Sequence, residues 1–327
     1  MNWSGKRVLV TGAGGFIGSH LTERLVALGA KARAFVHYRS DGTWGWLEHS
    51  SVKDEIDVIA GDVCDRDSVM RAMQGVDAVF HLAALIAIPY SYETPASFVT
   101  TNVLGTLNVL QAARALGVAR VVHTSTSEVY GTARYVPIDE AHPLQAQSPY
   151  AASKIGADKL AEAFVLSHGL SVITVRPFNT YGPRQSARAV VPTIITQCLT
   201  DGRVRLGNLS PMRDLNYVSD TVEGFVRAAT TPEAVGRTIN LGSGRAVSIG
   251  ELAKTIAALA GKSIQIEQDE ERVRPPSSEV ERLVADHQVA REVLGWEPTV
   301  PLEEGLPLTM EWIERHLDAY RPGVYVV

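Results

Sequence analysis

Tyr150 and Lys154 stand four residues apart just after Pro149, a spacing that places both side chains on one face of a helix. An ammonium beside a phenol favours the phenolate and lowers its pKa from ~10 toward neutrality. Such a pair can take a hydroxyl proton while hydride leaves the adjacent carbon for a nicotinamide. A seat for that acceptor is written near the start of the chain. Val8-Leu9-Val10-Thr11-Gly12-Ala13-Gly14-Gly15-Phe16-Ile17-Gly18 reads as a strand, a glycine turn and a helix start. Gly12 permits the tight turn, Gly15 admits backbone close to a pyrophosphate, and Gly18 lets the helix pack against the strand. The helix entered at Phe16 and Ile17 offers free N–H groups and positive potential to phosphates. The spacing is Gly-x-x-Gly-x-x-Gly rather than Gly-x-Gly-x-x-Gly.

An acid that binds ribose is expected ~20 residues further on, at the end of the second strand. Phe35-Val36-His37-Tyr38-Arg39-Ser40 holds no carboxylate before Asp41. Arg39 and Ser40 would suit a 2′-phosphate, so the NAD(P) reading leans to NADP; the alternative for Arg39 is a solvated surface residue. Asp62-Val63 frames the adenine, with Asp62 accepting from its amino group, or Asp62 is a turn aspartate.

These groups need a scaffold. Arg7–Thr11, Lys31–His37, Ile56–Ala60, Ala78–His81, Arg120–Thr124 and Ser171–Arg176 read as strands, and Phe16–Leu28, Arg66–Met73, Ala96–Leu116 and Ala151–Ser167 as helices. The alternation implies βαβ units and a parallel sheet with right-handed crossovers. Pro177, Gly182, Pro183 and Pro192 then mark a boundary to a second lobe. Val190–Thr200 reads as a helix and Arg203–Leu206 as a strand, while Ser219–Ala229 and Thr238–Leu241 read as a helix and strand returning to the first sheet. Ser248 and Glu251 form a capping box for a helix over Ile249–Ala260. Asp269–Glu281 reads as a loop, and Leu302–Tyr320 as a closing helix.

The 327 residues carry 31 Lys+Arg against 36 Asp+Glu, a formal charge of −5, which speaks against a nucleic-acid binder. Two cysteines, Cys64 and Cys198, cannot build a disulfide framework or a Cys-rich metal site, so a reducing, cytoplasmic setting and no metal are expected. The first apolar run, Val8–Val10, ends at glycines, unlike a signal peptide, and no run approaches the ~18 apolar residues of a membrane span.

Thr11-Gly12-x-x-Gly15-x-x-Gly18, Asp62-Val63, His81-Leu82-Ala83-Ala84, Asn102, Thr124-Ser125-Thr126 and Tyr150-x-x-x-Lys154 together resemble the extended short-chain dehydrogenase/reductase superfamily. Arg176-Pro177-Phe178-Asn179-x-Tyr181-Gly182-Pro183-Arg184 and Arg213-Asp214-x-x-Tyr217-Val218-x-Asp220 resemble its nucleotide-sugar branch. The resemblance implies a doubly wound Rossmann sheet with a smaller C-terminal α/β lobe. The NAD(P)-binding domain would span 1–180 with a return segment at about 215–245, and 181–327 would bind a nucleoside-diphosphate sugar. It implies a triad of Thr126, Tyr150 and Lys154, and a cofactor contacted also by Leu82, Ala83, Ala84, Asn102, Thr124 and Pro177. Asn179 would bind the diphosphate region, Arg213 would pair with a phosphate, and Arg184 and Arg274 would assist. Helices over Ala96–Leu116 and Ala151–Ser167 would make a four-helix homodimer interface.

The reaction turns on Thr126-Ser127-Glu128-Val129-Tyr130-Gly131, because 4-epimerases of this superfamily usually have a small residue where Glu128 stands. A glutamate beside the triad can remove the C5 proton once C4 is a ketone, leading to a 4-keto-6-deoxy sugar. Hexose 4,6-dehydratases carry Asp-Glu here, so Ser127 leaves the acid for the departing hydroxyl open: Glu128 returns its proton, or Ser127 relays one. The same run resembles UDP-glucuronate decarboxylases, and decarboxylase and epimerase chemistry remain alternatives. Phe35–Leu47, Gln147–Tyr150 and Asn179–Ala189 resemble GDP-N-acetylglucosamine 4,6-dehydratases of the legionaminic-acid type, which points to GDP- or UDP-GlcNAc. A non-catalytic dinucleotide-sensing scaffold would be marked by loss of Tyr150, Lys154 or Glu128, and all three are present.

Overall fold

The computed structural model describes residues 2–320, so Met1 and residues 321–327, the end of the expected second lobe, lie outside the described residues. Short β-branched runs form β1 (Arg7–Thr11), β2 (Lys31–His37), β3 (Asp57–Gly61), β4 (Ala78–His81), β5 (Arg120–Thr124) and β6 (Val172–Pro177). Between them lie α1 (Phe16–Ala27), α2 (Arg66–Met73), α3 (Ile88–Glu93), α4 (Pro95–Phe98), α5 (Gly105–Leu116) and α6 (Pro149–His168). The second half contributes β7 (Asn179–Tyr181), α7 (Val190–Thr200), β8 (Arg203–Leu206), β9 (Met212–Tyr217), α8 (Val218–Thr230) and β10 (Thr238–Leu241). It ends with β11 (Ala246–Ser248), α9 (Ile249–Leu259), β12 (Gln265–Gln268), α10 (Gln288–Leu294) and α11 (Leu302–Arg315).

Seven parallel strands run in the order β10-β6-β5-β4-β1-β2-β3. Period-2 alternation explains the layers: Val8 and Val10 of β1 join Leu21, Leu25 and Phe225 of α1 and α8, while Leu9 joins Val69 and Val109 of α2 and α5. A sheet buried on both faces is doubly wound, and its order reverses between β1 and β4, where the carboxyl ends of strands open a crevice. β10 belongs to this sheet although the chain first leaves it for β7–β9. Outside it, β7, β9 and β11 form a three-stranded sheet, and β8 pairs with β12. α7 packs against α9 and α11 to close the lobe.

Two helix readings change. The helix over Ala96–Leu116 is interrupted by a π-helical stretch, Val99–Leu104, between α4 and α5. The Asn102 carboxamide within it binds both main-chain groups of Leu85 at 2.8 and 2.9 Å and the Ser153 hydroxyl at 2.9 Å. The closing helix stops at Arg315, and Leu317–Tyr320 is a 3₁₀ turn. Among the described residues no helix is long and apolar enough to cross a membrane, and no group of three or more His, Cys, Asp or Glu is arranged to hold a metal ion.

Candidate active site

β1 ends in Thr11, whose hydroxyl accepts the N–H groups of Leu82 and Ala83 at 3.1 Å each and so ties the glycine turn to the end of β4. α1 begins with Gly15 as its N-cap, without a side-chain cap and without an acid in its first turn. Its first N–H groups and positive end therefore face the crevice. Gly18 is demanded by close approach, since a Cβ there would lie 2.2 Å from the Gly12 carbonyl oxygen. Gly14 was silent in the sequence, yet a Cβ on it would sit 2.4 Å from the Trp44 carbonyl oxygen. Trp46 N–H also donates to Gly14 O at 3.0 Å, so the segment after β2 folds back as a strap over the turn. Trp46 meets Trp312 of α11 edge-on, with ring centroids 5.0 Å apart.

The crevice is a cleft of about 790 Å³. Gly12, Gly15, Phe16, Ile17, Gly18, Arg39, Leu82, Ala83, Ala84, Thr124 and Pro177 line its sheet side, and Asn179, Arg213 and Arg274 its lobe side. Thr126, Glu128, Tyr150 and Lys154 lie between them. The open cradle at the glycines, the uncapped helix start and the buried, unpartnered hydroxyl of Thr124 fit a dinucleotide. On the lobe side, buried Asn179 Oδ1 likewise lacks a partner.

Six residues expected at the site lie elsewhere. Arg184 does not reach the cleft: its guanidinium clasps Glu23 of α1 at 2.9 and 3.0 Å and Ser19 at 3.2 Å. Asp62 closes its own turn by accepting from Cys64 N–H at 2.9 Å, and Val63 is buried beneath Gly105. Asn102 is enclosed and positions the Leu85 backbone, while Ser127 is 2 % exposed and does not line the cleft. Ser40 does not line the cleft, and Arg39 is paired with Asp41 at 3.0 Å. The motif that the sequence did not single out is Arg188, which does line it.

Lys154 Nζ donates to the Thr124 carbonyl rather than to Tyr150. Burial lowers its pKa to about 8, against the opposing charge of Asp158 one helical turn away. Tyr150 differs from the sequence expectation. Burial pushes its phenol up, a hydrogen bond with Thr126 draws it down, Glu128 and Asp158 raise it, and Arg188 lowers it. The enclosure by Phe98, whose ring stands edge-on at 6.2 Å, outweighs the nearby cations. Thr126 caps the 3₁₀ turn Ser127–Tyr130 and accepts from the Glu128 backbone N–H at 3.2 Å, and Glu128 lines the cleft. Across from it Glu279 is held by Arg213 at 3.2 Å, Asn208 at 3.2 Å and Arg274 at 3.7 Å.

Behind Lys154 lies a largely buried ionic cluster centred on Asp158, which the sequence did not single out. Asp158 accepts from Ser125 at 2.7 Å, Arg176 at 2.9 Å and His123 Nε2 at 3.0 Å. Burial alone would raise Asp158; His123, Arg176 and Ser125 overcome it and leave the pKa at about 2. Burial lowers His123, so at neutral pH it supplies a hydrogen bond while Arg176 supplies the charge. Arg176 also lies 4.9 Å from the centre of the Tyr130 ring.

A family model described as GDP-mannose 4,6 dehydratase matches residues 9–309. The chain is 37 % identical to a UDP-glucose 4-epimerase of Mycolicibacterium smegmatis, over 94 % of this chain and 98 % of that one. It is 35 % identical to a dTDP-glucose 4,6-dehydratase of Streptomyces griseus, over 97 % of each. The solved dTDP-glucose 4,6-dehydratase of Streptomyces venezuelae, with NAD bound, superposes with a TM-score of 0.87 at 31 % identity, covering 97 % of this chain and 99 % of that one. The relatives divide between reactions while sharing one scaffold from end to end, and the chain belongs to the GDP-mannose 4,6 dehydratase family, in the nucleotide-sugar branch of the extended short-chain dehydrogenases/reductases.

Proposed function

We propose that the protein is a nicotinamide-dependent nucleotide-sugar 4,6-dehydratase that makes a 4-keto-6-deoxy sugar nucleotide, with GDP- or UDP-GlcNAc as substrate. The observation that carries this reading is Glu128, a carboxylate that lines the cleft with Tyr150 and acts electrostatically on its phenol. The glycine turn Gly12–Gly18, with the buried Thr124 hydroxyl, would hold a nicotinamide dinucleotide, which would supply a hydride acceptor for C4 and a donor for C6. Tyr150 receives the C4 hydroxyl proton in its phenolate form, which burial disfavours and which the positive charge of Lys154 must favour for the step to run. Glu128 takes the C5 proton as the C6–O bond breaks. Glu128 and Glu279 are the carboxylates among the described cleft residues, and Glu279 is committed to two arginines and an asparagine. With Ser127 off the cleft lining, Glu128 also delivers its proton to the departing hydroxyl, which leaves as water; C5 then takes a proton from solvent as Tyr150 releases the C4 hydroxyl proton to it.

Arg39 spends its guanidinium on Asp41 and Ser40 lies off the cleft, so we read the cofactor as NAD, against the leaning of the sequence. Exposed Val99, Leu104 and Leu166 leave apolar area on the helical layer of α5 and α6, which supports pairing with a second copy. The test is incubation with GDP-GlcNAc, UDP-GlcNAc, UDP-glucose and UDP-glucuronate followed by mass spectrometry. Loss of one water is the expected result; loss of carbon dioxide or an unchanged mass with an inverted C4 would overturn the reading. Glu128→Gln should stop water loss yet still permit C4 oxidation.

A further inference from the structure

The segment between β7 and α7 is pinned to the sheet side of the cleft. Arg184 clasps Glu23 and Ser19 with its own backbone at φ 71°, a region that non-glycine residues rarely enter. His20 Nε2 lies 3.0 Å from the Pro183 carbonyl, and Gln185 Nε2 donates to Thr180 O at 2.8 Å. The segment so anchored carries Arg188 into the lining of the cleft that Tyr150 and Glu128 also line.

Of the other cleft arginines, Arg39 pairs with Asp41, Arg272 with Asp269 and Arg213 with Glu279, while Arg274 stands 3.7 Å from Glu279 with its buried Nη1 lacking a hydrogen-bond partner. Arg188 has no ion pair or hydrogen bond among the described residues. It is exposed into the cleft, where the walls partly desolvate it. Arg188 lines the same cleft as Tyr150, and its charge acts on the phenol there. A fork of N–H donors held there without a partner is suited to acceptor oxygens.

We propose that Arg188 is a specificity-determining residue that donates to an acceptor oxygen carried by the hexose, not to the diphosphate. This rests on the reading of the cleft as a nucleotide-sugar dehydratase site. Two substituents carry that chemistry: the carbonyl of a 2-acylamino group and a C6 carboxylate.

The test is calorimetric binding to Arg188→Met and Arg188→Lys, with bound dinucleotide and melting temperature confirming the fold. Arg188→Met should bind GDP and UDP like the parent but lose about tenfold affinity for the GlcNAc conjugate that the parent binds. Arg188→Lys should recover part of the loss, because a point charge replaces a fork. Equal losses for the nucleoside diphosphate and its sugar conjugate would place Arg188 on the diphosphate, and no loss in either would make it a surface arginine; both overturn the proposal. Collapse of the preference for the GlcNAc over the glucose conjugate identifies the acylamino carbonyl. Collapse of a preference for UDP-glucuronate over UDP-glucose keeps Arg188 on the hexose and overturns the dehydratase reading instead.

Discussion

Removing one charge from the cluster behind Lys154 should be far more damaging than removing two. Asp158 and Arg176 are 5 % and 6 % exposed at their side chains and 2.9 Å apart. Asp158→Asn leaves the Arg176 guanidinium buried against an amide, a change that typically costs ~3–5 kcal/mol. The depression of Asp158 from 3.8 to about 2 independently assigns about 2 kcal/mol to its ionised form. The remainder is the cost of the orphaned cation. Asp158→Asn combined with Arg176→Met removes both charges, so its cost should fall short of the two single costs summed by at least ~1.5 kcal/mol. Urea denaturation followed by tryptophan fluorescence at neutral pH measures all four proteins. The folded pKa lies below the unfolded one, so the ionic part of the stabilisation is present above about pH 4 and is lost as pH falls toward about 2. The gap between parent and Asp158→Asn should therefore be level from neutrality down to that point and then narrow. A neutral-pH gap under ~0.5 kcal/mol, or additive single costs, would refute the cluster as an energetic unit.

Lys154→Met should abolish turnover while making the fold more stable. Its pKa is lowered from 10.5 to about 8, so housing the cation costs about 3 kcal/mol, offset by ~1 kcal/mol for the lost bond to Thr124 O. The unfolded state holds the proton to higher pH, so the parent's stability should rise between about pH 8 and pH 10.5 and Lys154→Met should lack that rise; an equally pH-dependent urea midpoint in the variant would contradict this. Tyr150→Phe should cut turnover by at least ~10²-fold with the nucleotide sugar still bound, and near-normal turnover would sink the proton-transfer role. Gly14→Ala drives a methyl into the Trp44 carbonyl, so the strap must lift and the dinucleotide retained through purification should fall by about tenfold, read as nucleotide released on denaturation; full retention would argue against the strap.

The parallel sheet was legible because each strand is a short β-branched run and each turn is marked by glycine. Lys31–His37, Ala78–His81 and Arg120–Thr124 fall where the pattern puts them. β7 and β9 were hidden, since Asn179–Tyr181 and Met212–Tyr217 are mixed in polarity and become strands through pairing with each other. The π-helical break depends on Asn102 meeting Leu85, a tertiary contact with no local mark. Arg184 and Arg188 look interchangeable as charges; only the clasp on Glu23 separates a latch from a residue open to the cleft. Asp158 reads as an ordinary helix carboxylate until β5 and β6 supply its partners.

The late return of β10 has a mechanical meaning. The chain leaves the sheet after β6, builds one wall of the cleft with β7–β9, and comes back to hydrogen-bond along β6 before finishing the lobe. The two walls are thus sewn together by several crossings, and a single backbone cut in the segment over the cleft would leave both pieces interlocked. A hinge of that kind has little freedom to swing. Ligand exchange should then proceed without the two walls separating as rigid bodies.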